Sequence, residues 1–375
     1  VAGSTRLVDL IQSRLDSFLT ERRGELDEVS PDLDVIDAAA RSLLAGGKRF
    51  RALFCYWGWQ AVAAQGDDFD PAADASPALD GVVAVAAALE LFHAAALVHD
   101  DIMDNSDLRR GQPSLHRRFE ALHRDRGWTG SAEAYGTSAA LLLGDLLLGW
   151  SDGLFDSGLA TLPATAAGRD AAAAARAEFG RMRTDVMLGQ YLDMLEEHSW
   201  RGRPEAELLP RAHRVIVYKS AKYSVECPLA LGAALAGGSL AQISGLRDFG
   251  LPLGVAFQLR DDLLGVFGDP AVTGKPAGDD LREGKRTVLI NLARQKLPAS
   301  ASRLVDELLG DPALDDDQIG MLQTAIRDSG AVDQVERIIA HNVETATAAL
   351  NDAPIARSAR DELTALADTV TRRDS

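Results

Sequence analysis

The sequence predicts an all-α protein, a single domain of ten or more helices. Three observations predict it. Alanine and leucine dominate while aromatic residues make up only 6% of the 375 positions, a bias that favours helix over sheet. Helix start and stop signals recur along the chain, with apolar residues at helical spacing between them. No alternation of apolar and polar residues lasts long enough to suggest a sheet.

The elements follow in chain order. Ser30-Pro31 supplies an N-cap and a first-turn proline, and Gly46-Gly47 closes that helix. A second helix is expected from about Arg49 to Ala64. The stretch Gly66 to Pro77, rich in Asp, Pro and Ala, reads as a surface loop. A long apolar helix spans roughly Leu79 to Asp104. Further helices are expected over about Ser131–Leu148, Ala166–His198, Pro204–Ala236 and Ala241–Val266, with an alanine-rich bend near Ala171–Ala175. Gly268-Asp269-Pro270 and Thr273-Gly274-Lys275-Pro276 form an irregular loop, after which Leu281 to Thr371 returns to amphipathic helix. The domain is expected to cover residues 1–375, with a motif-bearing core at about 44–287 and C-terminal helices at about 288–372.

The formal net charge of −17 argues against nucleic acid or an anionic membrane surface as the main partner. Cys55 and Cys227 are the only cysteines and give neither a disulfide framework nor metal-type spacing. They fit a reducing cytoplasm as small apolar residues. Val1 to Leu19 has no apolar core with a small-residue cleavage site, so no signal peptide is expected. The most apolar stretch, Gly81 to Val98, contains Glu90 and His93. It reads as a buried helix, and no stable membrane insertion is expected.

Two acidic clusters carry the chemistry. The first is Asp100-Asp101-Ile102-Met103-Asp104, followed by Arg109-Arg110-Gly111. On a helix Asp100 and Asp104 stack one turn apart, with Asp101 beside them. The second is Phe257-Gln258-Leu259-Arg260-Asp261-Asp262. Carboxylates in such apolar surroundings need a cation to neutralise them. Two acidic patches facing each other across a helical cavity would form a cage for hard divalent ions, and those ions would hold a phosphate-bearing substrate. Cations cluster nearby. Gly46-Gly47-Lys48-Arg49-Phe50-Arg51 sits at a helix break, where glycines let an anion approach the backbone. Lys48 and Arg51 are spaced to share a pocket. Arg109 and Arg110 follow the first acids, Lys219 and Lys222 flank Ser220, and Lys275 and Lys285 lie beyond the second cluster.

Between Leu44 and Thr287 the chain resembles the trans-isoprenyl diphosphate synthase (polyprenyl synthetase) family. The pieces are GGKRFR, HAAALVHDDIMDNSDLRRG, GQYLD at Gly189 to Asp193, YKSAKYS and FQLRDDLLGVFGDPAVTGK, in the family's order. The resemblance implies a helical bundle around a deep central cavity, of the isoprenoid synthase type, commonly a homodimer. It implies Mg2+, three ions per site, with Asp100 and Asp104 as ligands supported by Asp101, and Asp261 as a ligand supported by Asp262. Arg109, Lys219 and Lys275 should grip an allylic diphosphate, whether dimethylallyl, geranyl or farnesyl. Ser220 and Gln258 should lie beside its carbons. Gly47, Lys48, Arg51, His93 and Arg110 should bind isopentenyl diphosphate. Three departures stand out: Gly265 replaces the third aspartate of the second motif, Ser220 stands for the commoner threonine, and Ala52 for the proline after Arg51.

The implied reaction ionises the allylic carbon–oxygen bond and joins the cation to the alkene of isopentenyl diphosphate. The proton goes to the departing pyrophosphate, and loops near Lys275 and Lys285 close over the site. Phe92, Ala95 and Ala96 form the wall for the growing chain. Short-product relatives carry bulky aromatics where this chain has Ala95 and Ala96. The next obstruction is Phe92, about 12 Å of helix rise from Asp100. The expected product is therefore geranylgeranyl diphosphate, with farnesyl or longer polyprenyl products as the alternative. A class I terpene cyclase would have no use for the second diphosphate pocket of Lys48, Arg51 and Arg110. A non-catalytic regulatory subunit would not retain all five aspartates.

Overall fold

A computed structural model describes residues 2–63, 77–269 and 278–371. These residues are almost entirely helical. Their only strands form a hairpin, β1 Leu108–Arg109 antiparallel to β2 Gln112–Pro113. The all-α reading holds, with well over ten helices among the described residues. The expected loop at Gly66 to Pro77 lies largely outside them, as does Lys275.

The chain gathers into two compact units. The first comprises residues 1–178, 228–243 and 355–359, and the second residues 179–227, 244–354 and 360–375.

The first unit opens with α1, Ala2–Val29. Leu7, Ile11, Leu15, Phe18 and Leu19 are all buried there, at the spacing of one helical face. Ser30 then caps a 3-10 turn, Pro31–Leu33, by accepting from Asp32 N at 3.2 Å. That turn leads into α2, Asp34–Leu44, and then α3, Phe50–Ala63. α4 runs Pro77–Met103. It is followed by the hairpin, α5 (Leu115–Asp125) and α6 (Ala132–Leu159). Ser131 caps α6 by accepting from Ala134 N at 3.2 Å. α4 and α6 pack along their length: Ser151 Oγ donates to Ala88 O at 2.8 Å, and His99 Nε2 lies 3.5 Å from Asp145 Oδ1.

α7, Ala166–Ser199, runs unbroken through the expected alanine-rich bend. Alanine is the best helix former, so five in a row extend a helix. α8 (Glu205–Val215), a π-helical segment (Ile216–Glu226) and α9 (Cys227–Leu235) fill the stretch expected as one helix. α10 is Leu240–Phe267.

The second unit continues with α11 (Asp279–Glu283), α12 (Val288–Lys296), α13 (Ala299–Leu308), α14 (Asp316–Asp328), α15 (Ala331–Asp352) and α16 (Arg357–Thr371). Its core joins Ile216, Val255, Leu259, Leu289, Ile326 and Val335. Arg260 makes a fork onto Glu336 (2.6 and 2.8 Å) and reaches Thr371 O at 3.2 Å. The bidentate guanidinium ties α10 to α15 and to the end of α16.

Among the described residues two helices, Ala78–Met103 and Ala132–Leu159, are long and apolar enough to cross a membrane. The most apolar window of the first is 83% buried within the protein, so that helix is spent on the core.

Candidate active site

The first acid cluster ends α4. Asp104 N donates to Asp100 O at 2.9 Å, so the helical turn persists one residue past Met103 and keeps the two carboxylates stacked. Asp101 is buried. The hairpin brings its neutraliser. Arg110 and Gly111 both have positive φ (53° and 73°), which makes the connection a type I′ turn between Arg109 and Gln112. The turn folds Arg109 back onto the acids. Its Nε donates to Asp101 Oδ1 at 2.9 Å, Nη2 donates to the same oxygen, and Nη2 donates to Asp100 Oδ2 at 3.3 Å.

Beside this lies a cationic cluster of the same unit. Gly46 and Gly47 have positive φ (66° and 98°), and so does Arg49 (52°). Lys48 therefore precedes α3 rather than forming its first turn with Arg51, which corrects the helical spacing expected for that pair. Lys48 is exposed, with Nζ 6.0 Å from the Phe50 ring centroid. A Cβ placed on Gly47 would stand 3.7 Å from both terminal nitrogens of Arg110. His93 stands among the guanidiniums. Burial first, and then the charges of Arg51, Arg110, Arg109 and Arg49, hold its imidazole well below the ordinary histidine range. Gly47, Arg51, His93, Arg109 and Arg110 are thus brought together. Phe92 and Ala95 are buried and Ala96 is half-buried. Phe92 and Ala95 share the α4 side of Ala88 and His99, which meets α6. Ala96 stands about 40° round the helix from Asp100.

In the second unit the site is built on the π segment. Cys227 N donates to Lys222 O, five residues back, and π segments recur at functional sites. Close packing accompanies it. A Cβ on Gly189 would overlap Lys219 N, and one on Gly254 would stand 2.5 Å from Ala221 O. That approach lets Lys219 Nζ donate to Asp193 and Ser220 Oγ donate to Gln258 Oε1. Gln258 Nε2 in turn donates to Asp262 Oδ1 at 2.8 Å. Lys285 Nζ lies 3.5 Å from Asp193 and 3.3 Å from Glu197. A cavity of about 110 Å³ joins Lys219, Ser220, Gln258 and Asp262 to Asp193, Asp280, Lys285 and Arg286. Asp261 is half-buried on the same turn.

Asp262 is 5% exposed, and its Oδ2 has no hydrogen-bond partner among the described residues. Burial, chiefly, and the charges of Asp280, Asp261 and Asp193 push its carboxyl well above the ordinary range, against the opposing Gln258 bond. An orphaned buried carboxylate oxygen beside half-buried acids fits a hydrated divalent cation. Among the described residues no three His, Cys, Asp or Glu side chains already surround one point.

The sequence reading missed Arg49, Glu90, Glu197, Asp280 and Arg286. Asp193 lay in the quoted GQYLD stretch with no role attached. Arg286 stacks 3.7 Å over the Trp200 ring and pairs with Asp306 at 3.0 Å, and burial lowers its guanidinium to about 10. Its signal in the sequence was adjacency to Lys285 alone.

Comparison with known proteins identifies the family. The polyprenyl synthetase family model matches residues 34–326. A geranylfarnesyl diphosphate synthase of Aeropyrum pernix is 31% identical over 90% of this chain and 94% of its own length. A geranylgeranyl diphosphate synthase of Mycobacterium tuberculosis is 33% identical over 90% of this chain and 83% of its own. The crystal structure of a geranylgeranyl pyrophosphate synthase from Corynebacterium glutamicum, complexed with isoprenyl diphosphate and magnesium, superposes with a TM-score of 0.89 at 39% identity, over 98% of this chain and 99% of that one. The fold is that of the all-α isoprenoid synthases. The chain belongs to the polyprenyl synthetase family and is a prenyltransferase of the trans-prenyl diphosphate synthase kind.

Proposed function

We propose that this chain joins isopentenyl diphosphate head to tail to an allylic diphosphate, and that its main product is the twenty-carbon geranylgeranyl diphosphate. The carrying observation is the adjacency, on one unit, of an acid row gripped by Arg109 and a guanidinium cluster around His93. An acid row suits a metal-bound diphosphate, and a separate cationic cluster suits a second one. A cyclase needs only the first.

Asp100 and Asp104 would hold Mg2+ on the allylic diphosphate, and Asp101 would orient Arg109. Asp261 would hold a third ion, with Asp262 accepting from its waters. Bound Mg2+ would offset the charge that builds on the leaving diphosphate. Arg109, Lys219 and Lys275 would add positive charge to the same group. Asp193 would hold Lys219 and Lys285 extended until the diphosphate takes over. Ser220 and Gln258 would present oxygen dipoles beside the allylic carbons. Gly47, Lys48, Arg51, His93 and Arg110 would bind isopentenyl diphosphate. The allylic C1–O bond breaks, C1 bonds to C4 of isopentenyl diphosphate, and a proton leaves C2 for the released pyrophosphate. The two compact units would serve this reaction as one catalytic domain.

Product length rests on α4, because relatives of nearly equal identity carry names for twenty- and twenty-five-carbon products. Small side chains at Ala95 and Ala96 would let the chain pass from the acid face toward α6, and Phe92 would stop it. A homodimer is supported by exposed apolar side chains: Leu141 and Leu142 on α6, and Met187, Leu188, Tyr191 and Met194 on α7. A cytoplasmic setting fits Cys55 and Cys227 as buried thiols.

The test is incubation of purified protein with Mg2+, labelled isopentenyl diphosphate and, separately, dimethylallyl, geranyl and farnesyl diphosphates. Chromatography should show a twenty-carbon product. Elongation of none of the primers would overturn the reading.

A further inference from the structure

Gly265 and Asp280 occupy each other's space. Gly265 lies on α10, one helical turn beyond Asp261 and on the same face. A Cβ placed on it would overlap Asp280 Oδ2 and stand 2.8 Å from Oδ1. The carboxylate of Asp280 therefore fills the volume that a side chain at 265 would take. A short turn delivers it there. Gly278 and Gly284 both have positive φ (73° and 81°) and bracket α11. Asp280 O accepts from Gly284 N, and from Lys285 N at 3.0 Å.

We propose that Asp280 supplies the third carboxylate of the second acid cluster, entering from α11 through the gap that Gly265 leaves on α10. The proposal rests on the reading above that this cluster holds metal with diphosphate. A gathering of acids alone would carry no such claim. The independent observation is Asp262, which is 5% exposed and lines the same cavity as Asp280 with an Oδ2 that has no hydrogen-bond partner among the described residues. A carboxylate oxygen left this way is costly unless a hydrated cation stands in front of it. Asp262 and Asp280 then accept from the waters of one ion whose direct ligand is Asp261. Two elements supply the acids where one helix carrying aspartates at 261, 262 and 265 would supply all three. The same turn carries Lys285, whose Nζ lies 3.5 Å from Asp193. Metal binding at Asp280 would therefore also hold that lysine at the cavity.

The arrangement makes a reciprocal prediction. Gly265→Asp alone drives a side chain into Asp280 and puts two carboxylates in one volume, so it should weaken metal binding. Gly265→Asp combined with Asp280→Gly should regain it, because the acid returns from the helix side.

The experiment is Mn2+ binding in the presence of inorganic pyrophosphate, read by electron paramagnetic resonance on the full chain, with thermal melts to confirm folding. Asp280→Asn keeps the shape of the side chain and should weaken the weakest Mn2+ site roughly 10–100-fold. The Gly265→Asp/Asp280→Gly exchange should recover most of that loss. Wild-type protein that elongates prenyl primers and binds Mn2+, beside a folded Asp280→Asn variant that binds equally well, would overturn this proposal and leave the synthase reading intact. A folded exchange variant that binds no better than Asp280→Gly would overturn it too. Wild-type protein that binds no Mn2+ with pyrophosphate would overturn both.

Discussion

Arg49 Nη1 donates to Glu90 Oε2 at 3.0 Å, and the two side chains are only 3% and 5% exposed. The same guanidinium donates from Nη2 to Gln12 Oε1 at 2.6 Å and to Leu44 O. One buried cation therefore ties α1, the end of α2 and α4 to the loop that carries Gly47 and Lys48. Removing one partner strands the other charge in the core. Glu90→Ala should cost about 3–5 kcal/mol of stability in urea unfolding. Replacing the pair together, Arg49→Met with Glu90→Leu, should return most of that stability while isopentenyl diphosphate binding stays weakened, because the loop loses its anchor. A double variant less stable than Glu90→Ala would contradict this account of the pair.

Gly47 holds a φ of 98°, and the Arg110 guanidinium stands 3.7 Å from where a Cβ would be, an ordinary van der Waals contact. Gly47→Ala strains the backbone by about 1–3 kcal/mol. KM for isopentenyl diphosphate should rise about tenfold with kcat nearly unchanged, the pattern of lost uniform binding. Steady-state kinetics with the allylic primer saturating reads this directly. A fall in kcat at constant KM would place Gly47 elsewhere in the reaction.

His93 gives the free protein an acid-side weakness. Burial and four arginines depress its folded pKa, while the unfolded value is about 6.5. The unfolded chain then binds the proton that the folded one refuses. The stability associated with neutral His93 is present above about pH 6.5 and is lost as pH falls toward the folded value. His93→Asn should flatten the decline in melting temperature between pH 7 and 5. A bound diphosphate should raise the imidazole pKa, so calorimetry at pH 6 in buffers of different ionisation enthalpy should show proton uptake with inorganic pyrophosphate in the wild type and less in His93→Asn. Equal uptake by both proteins would remove His93 from the anion site.

The α4 helix and the stacking of Asp100 on Asp104 were legible because both are local: apolar composition, helical period and a spacing of four. The Ser30 cap and the all-α class were legible for the same reason. The stripe of Leu7, Ile11, Leu15 and Leu19 in α1 was equally present in the sequence, but charged residues between its members lowered the apolar signal. What stayed hidden depends on distant neighbours. The π segment carrying Lys219 and Ser220 lies against Gly189 and Gly254, about thirty residues away on either side. Gly265 reads as a loss until Asp280 is seen filling its place. Arg49 reads as one more surface cation until Glu90 is found opposite it.

The wall on α4 is testable by size alone. Ala96 stands nearest the acid face, and Ala95 is fully buried toward α6. Ala96→Phe and Ala95→Phe should each shorten the main product to fifteen carbons, with Ala95→Phe also costing about 1–3 kcal/mol from overpacking. Product lengths unchanged in both variants would rule out this wall.

We propose that acids at the ends of α4 and α10 hold metal on a diphosphate. Anomalous scattering from Mn2+ in crystals soaked with a non-reactive allylic diphosphate analogue tests it most directly. Peaks are expected beside Asp100 and Asp104 and beside Asp261, with Arg109 released from Asp100. A bound diphosphate with no peak beside any of these carboxylates would contradict it.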